Sequence, residues 1–369
     1  MAKTDRQGFL DILRVAATCA VVLLHTVTGV MDATDMNAYP LEKTVFLAIM
    51  DLITWCVPVF VLISGYLFLN PMRRITFGQM LKKYCRRIVI ALFIFGVPYA
   101  CMEQIMAQGS FRASMIGRAV LMVLQGRSWS HMWYLYMILF LYLITPALKY
   151  MLKRMPGFVL YGMLFILFAG SSILPFIKKL CNLETLFAFP DGGIYLFYYL
   201  WGYLFALPAQ EETGSGRITR KVSKKIGAPI WYGAVFAGIL LAMGMVLSRL
   251  FESYTVQMAY NYPFTVVLSL LLMWIFREAE GKLKEKHRAF WVRSGALCFG
   301  VYLIHPVFVN FYYKFLQTTP LNFPEEAFVL GCIPRIFASL PLFFFGALLP
   351  AVIGAWVLMK IPVMRKYVL

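Results

Sequence analysis

The chain has 369 residues, 61% of them hydrophobic and 14% charged, with a mean hydropathy of +0.73 and a formal charge of +18. A chain of this length is too apolar for a soluble domain and reads as a polytopic membrane protein. The basic excess then belongs to membrane-protein loops, which excludes nucleic acid as a partner and implies the lipid bilayer.

The first apolar run, Phe9 to Val30, is long enough to cross a bilayer as a helix, yet it carries Asp11, Arg14 and His25. A charged side chain in hydrocarbon costs at least ~2.5 kcal/mol on insertion scales, so these residues need a reason. At about 100° per residue Asp11, Arg14, Thr18, Val22 and His25 fall on one face, which is expected to look into a protein interior or an aqueous cavity. Arg14 and His25 are separated by about 16 Å along the axis, a charge at one depth and a titratable ring at another. The plainer alternative has Arg14 snorkelling to headgroups and His25 satisfied by packing. The run exceeds a signal-peptide core and no small-x-small site follows it, so it is expected to remain as a span.

Further apolar runs follow at about 45 to 69, 86 to 106, 132 to 150, 158 to 177, 193 to 208, 229 to 250, 262 to 276, 295 to 316 and 328 to 359. The spacing predicts an all-α bundle of about ten transmembrane helices forming a single membrane-embedded domain over residues 1–369. With both termini cytoplasmic, 25 Lys and Arg fall on the inner side and eight on the outer side, leaving Arg14 and Arg335 within the membrane. That asymmetry is the positive-inside pattern, which an odd helix count would scramble. Residues 108–130, with Phe111, Met115, Leu121, Met122 and Leu124, suit an interfacial helix, and the basic segment Glu211 to Lys225 suits a loop near anionic lipid. The seven cysteines are scattered without CxxC spacing and read as small hydrophobes.

Several residues along these runs have two readings. Asp51, in the second run, either orients a histidine or faces an aqueous vestibule. Ser64 and Gly65 allow close backbone approach, for helix packing or for a bound donor. Arg73, Arg74, Lys82, Lys83, Arg86 and Arg87 are either ordinary inner-side charge or clamps for phosphates. His131, Trp133 and Tyr134 form an interfacial belt or stack on a sugar. His305 lies within the ninth run before Pro306, which frees a backbone carbonyl, and is a candidate second catalytic or gating histidine. Arg335, beside Pro334, is an intramembrane charge without an assigned partner. His287 sits in a charged stretch and has no assigned role. No zinc-ligand spacing, GxSxG elbow, Walker loop or GxGxxG motif occurs, so a metal or nucleotide-hydrolysing function has no support.

The opening DILRVAATCAVVLLH resembles the first-helix signature of the integral membrane acyltransferases often called acyltransferase 3, a basic residue followed by a histidine eleven positions on. PVFVLISGYLFL, YCRRIVIALFIFGVPY, HMWYLYMILFLYLITPAL, YLFYYLWGYLFA and CFGVYLIHPVF agree with further blocks of that family in order. The resemblance implies transfer of an acyl group, usually acetyl from acetyl-CoA, to a hydroxyl of a cell-envelope polysaccharide or lipid-linked glycan, in a bacterial plasma membrane. It further implies His25 as the catalytic histidine and Arg14 as the residue engaging the donor, with Ser64 and Gly65 in its second-helix block. The chemistry is independently sensible, because a neutral imidazole can take the hydroxyl proton near pH 7. Two other classes stay open. One is a serine-transporter-like module of the same fold, in which Arg14 and Asp11 hold a zwitterion. The other is a scaffold or flippase partner in polysaccharide export.

Overall fold

A computed structural model describes residues 7–181, 189–190, 192–207, 230–251, 259–280, 283–322 and 335–369, without side chains at 230–231, 247–251, 285 and 335–338. The described residues are 84% helix, with no strand among them. In chain order the helices are α1 (Gly8–Ala33), α2 (Pro40–Ile53), α3 (Cys56–Phe68), α4 (Phe77–Gln79), α5 (Arg86–Gln108), α6 (Ser114–Leu124), α7 (Trp133–Arg154) and α8 (Gly157–Phe168). They continue with α9 (Leu174–Leu180), α10 (Gly193–Ala206), α11 (Ile230–Phe251), α12 (Pro263–Glu278), α13 (Glu285–Asn310), α14 (Arg335–Lys360) and α15 (Pro362–Tyr367). Among the described residues seven helical segments are long and apolar enough to cross a membrane. The expectation of a helical polytopic membrane protein therefore holds.

Local chemistry places the breaks. Pro40, Pro263 and Pro362 open their helices, where the missing N–H costs nothing. Gly109 ends α5 in the left-handed region at φ 72°, a conformation that suits glycine. The second apolar run, expected to be continuous, is split into α2 and α3 around Thr54 and Trp55. Pro58 is the cause: it cannot donate to the Thr54 carbonyl one turn back. The ninth run likewise differs, because α13 begins at Glu285 and takes in a polar first turn, so His287 lies on a helix rather than in a loop. The interfacial helix expected within residues 108–130 is α6, but it buries Met115, Ala119 and Val123, while Phe111, Leu121 and Leu124 are exposed. The basic segment from Glu211 to Lys225 falls outside the described residues.

Contacts divide the chain into two compact units, Met1–Asn70 with Pro156–Gly354, and Pro71–Met155 with Ala355–Leu369. Two helix pairings organise the first. At the α3–α10 crossing, a Cβ on Gly65 would overlap the Tyr199 carbonyl, and a Cβ on Gly202 would overlap the Leu62 carbonyl and the Tyr66 amide. Two glycines thus let the backbones touch. In the other pairing α1 and α13 run parallel. Gly8 packs on Leu283, Asp11 on Gly295 and Gly29 on Val309 and Tyr313, so both chains advance together.

The second unit joins α5 to α6 and carries the π-helical turn Met80–Cys85 into α5. It holds fifteen of the chain's Lys and Arg and one acid, Glu103.

Candidate active site

The polar stripe of the first helix faces protein. Asp11 is 0% exposed, Thr18 and Val22 are buried, and Arg14 and His25 are partly exposed. Helical spacing of three places Arg14 over Asp11, and its guanidinium donates to Asp11 Oδ1 at 2.8 Å. This pair offsets the cost of both charges within a helix that must otherwise be apolar. Gly295 of α13 lies directly against it: a Cβ there would stand 2.6 Å from Asp11 Oδ1. Only the absence of a side chain at position 295 leaves room for the carboxylate.

The seam continues along both helices. Thr18 donates to the Arg14 carbonyl at 2.8 Å, and on α13 the Cys298 thiol donates to the Ser294 carbonyl at 3.5 Å. Higher up, the rings of His25 and His305 stand 5.2 Å apart between centroids, their planes inclined by 43°. His305 is 0% exposed. Above them Tyr313 Oη donates to the Thr26 carbonyl at 2.9 Å. Two histidines on segments 280 residues apart in sequence thus meet inside one unit.

The N-terminal end of the seam holds an acid that sequence reasoning overlooked. Glu280 accepts from the backbone amides of Gly8 at 2.9 Å and Phe9 at 2.6 Å, and from Arg288 at 3.2 Å. A carboxylate on the first amides of α1 meets the positive end of the helix dipole. Gln7 accepts from Tyr66, whose ring lies edge-on to Phe9 at 5.7 Å. In sequence Glu280 sits in REAEGKLKEKHR, where it is one charge among many. Gly295 stands in SGALCFG, a run of small residues with no chemical signature of its own.

The other sequence candidates occupy separate places. Asp51 is buried near the end of α2, and Ser64 is buried in α3 beside the Gly65 crossing. In the second unit Arg73 donates to Tyr84 Oη at 2.8 Å, its own carbonyl accepts from Lys149 at 2.7 Å, and Arg74 is exposed. Exposed Arg86 lies over the Tyr367 ring at 5.3 Å, and Arg87 reaches the Arg365 carbonyl at 3.4 Å. His131 is buried edge-on to Tyr99 at 5.3 Å, and Tyr99 also meets Trp129 at 5.1 Å, a ring absent from the sequence candidates. Trp133 and Tyr134 pack on one another at the start of α7. Arg335 begins α14, and its side chain lies outside the described residues.

A helical membrane bundle that sets an ion pair and two imidazoles along one helix seam is built for polar chemistry or polar cargo within the bilayer. Compared with known protein families, residues 7–360 match the acyltransferase domain family, nearly the whole chain. The chain belongs to that family and is a multi-pass membrane acyltransferase. No curated protein and no solved structure matches it.

Proposed function

We propose that the protein moves an acetyl group from acetyl-CoA on the cytoplasmic side to a hydroxyl of a cell-envelope polysaccharide or lipid-linked glycan, in a bacterial plasma membrane. The observation that carries this is the placement of His25 on the inward stripe of α1, about 16 Å beyond the Asp11–Arg14 pair on the same face. With the N-terminus cytoplasmic, as the loop charges have it, Arg14 meets the donor near its entry and His25 waits deeper for the acceptor.

The acceptor oxygen attacks the thioester carbonyl while His25 takes the hydroxyl proton. The new ester C–O bond forms, the C–S bond breaks, and the imidazolium returns its proton to the departing thiolate, releasing free CoA thiol. A positioned base of this kind is worth about 10² to 10⁴ in rate. Asp11 holds Arg14 by one amino nitrogen, leaving the remaining guanidinium donors for phosphate or pantetheine oxygens.

The test uses purified protein in bilayers, radiolabelled acetyl-CoA and envelope glycan from the same cells. His25→Ala is expected to abolish label transfer while the variant elutes and melts like the wild type. Undiminished transfer by that variant removes His25 from the chemistry. Stabilisation by serine and not by acetyl-CoA favours the transporter alternative instead.

A further inference from the structure

We infer that the second unit binds the headgroup of an anionic phospholipid where α15 meets α5, with an acyl chain laid along α5. This site is independent of the acyl-transfer reading.

The backbone sets it up. α14 ends at Lys360, Ile361 is extended, and Pro362 opens α15, which is followed by the buried anchor Val368. α15 packs on α5. At that contact the Arg87 guanidinium reaches the Arg365 carbonyl at 3.4 Å and the Lys366 carbonyl at 3.5 Å. Two exposed cations share one ring beside it: Arg86 Cζ stands 5.3 Å and Lys366 Nζ 5.0 Å from the centre of Tyr367. Arg365, next in the chain, is exposed as well.

These charges are held but not neutralised. A ring face or a carbonyl oxygen attracts a cation without cancelling its charge, and like charges gathered on one ring repel. Arg86, Arg87 and Lys366 form no ion pair among the described residues. The one acid of the unit, Glu103, lies seventeen residues along α5 from Arg86, about 25 Å away. The complement must therefore be an anion from outside the unit.

The neighbouring apolar side chains specify which anion. Arg86, Val89 and Phe93 share one face of α5 at i, i+3 and i+7, and all three are exposed. α5 belongs to a segment long and apolar enough to cross a membrane, so Val89 and Phe93 point to hydrocarbon and Arg86 stands at its border. Ile361 and Val363, around the turn into α15, are exposed too. Other helix ends of the unit carry the aromatic and basic pairs of a membrane interface, with Arg154 over Tyr150 at 3.7 Å and Lys360 over Trp356 at 4.9 Å. A ligand with a phosphate and an acyl chain on one molecule matches both halves of the α5 face. A soluble phosphate would use the cations alone, and a zwitterionic lipid brings a cation of its own.

The test adds phosphatidylglycerol or phosphatidylcholine to the partly delipidated full chain and follows native mass spectrometry and thermal unfolding. Phosphatidylglycerol is expected to be retained and to raise the melting midpoint by several degrees, and phosphatidylcholine to do neither. Equal retention of the two lipids overturns the inference. Arg86→Gln combined with Lys366→Gln should weaken phosphatidylglycerol binding about fivefold for each cation removed. Lys153→Gln, an exposed cation of α7 outside the cluster, should leave it unchanged. An equal loss in Lys153→Gln reduces the effect to diffuse surface charge and refutes the site. If the double variant instead loses stabilisation by acetyl-CoA or inorganic phosphate and keeps its phosphatidylglycerol, the cations serve a soluble phosphate and the lipid is ruled out. Should the double variant not accumulate, wild-type protein with phosphatidylglycerol photoactivatable on its acyl chain decides the matter. Label is expected on the peptide holding Val89 and Phe93, and label spread evenly onto exposed Phe158 and Phe165 of α8 refutes the inference.

Discussion

Gly295→Ala offers the sharpest probe of the seam, because the substitution adds one methyl at a point where the structure leaves none. The new Cβ would stand 2.6 Å from Asp11 Oδ1 and 3.0 Å from both Asp11 Cβ and Cγ. Reaching an ordinary contact of about 3.4 Å means a displacement of about 0.8 Å. Asp11 cannot swing freely, since it is fully buried and bonded to Arg14 at 2.8 Å. Either the carboxylate leaves the guanidinium or α13 retreats from α1. Overpacking of this kind costs about 1 to 3 kcal/mol, and part of the ion pair is lost with it, so about 2 to 3 kcal/mol is expected. The assay is thermal unfolding in detergent, paired with the KM for acetyl-CoA in bilayers, where on the donor role proposed for Arg14 its displacement should raise KM severalfold. A double-mutant cycle isolates the cause: in an Asp11→Ala background the closest clash is gone, and Gly295→Ala should lose at least half of its cost. An equal melting loss in both backgrounds, or none in either, refutes the account of this contact.

Other expectations follow from the same geometry. Gly202→Ala drives a methyl into the Leu62 carbonyl and the Tyr66 amide, so it should lower the melting midpoint by several degrees through helix separation. Size-exclusion and thermal scans of the variant check this, and a midpoint equal to the wild type's would contradict it. Glu280→Gln removes the charge at the N-terminus of α1 and half of the pair with Arg288, at a cost of about 1 kcal/mol that shrinks as salt is raised. Melting curves at low and high ionic strength read both the loss and its screening.

The helical class and the polar face of α1 were legible because hydropathy and a 3.6-residue period leave direct marks in a sequence. Asp11, Arg14, Thr18 and His25 share a face by arithmetic alone, and their inward direction follows from the cost of the opposite choice. What lies across from that face was not legible. His305 stands 280 residues away, and nothing in the pattern around it names α1 as its neighbour. Gly295 acts by lacking a side chain, and Glu280 acts from within a mixed-charge stretch, so neither has a compositional signature. The break between α2 and α3 was readable in principle, since Pro58 marks its own missing bond, but a hydropathy window passes over it.

The parallel pairing of α1 with α13 has a consequence for assembly. Two parallel spans require an odd number of crossings between them, and the seven that separate the first and ninth runs in the ten-span layout satisfy this. The stripe of α1 is synthesised long before its cover. Until α13 is in place, Asp11, Arg14, Thr18 and His25 have no partner helix along the face that Gly295, Cys298 and His305 later close. Leaving that face toward lipid is costly for each charge, which gives a thermodynamic pull for docking α13 onto α1 once it is inserted. The polar residues of the stripe therefore select which late helix can close the unit. An apolar replacement of the stripe would remove that preference.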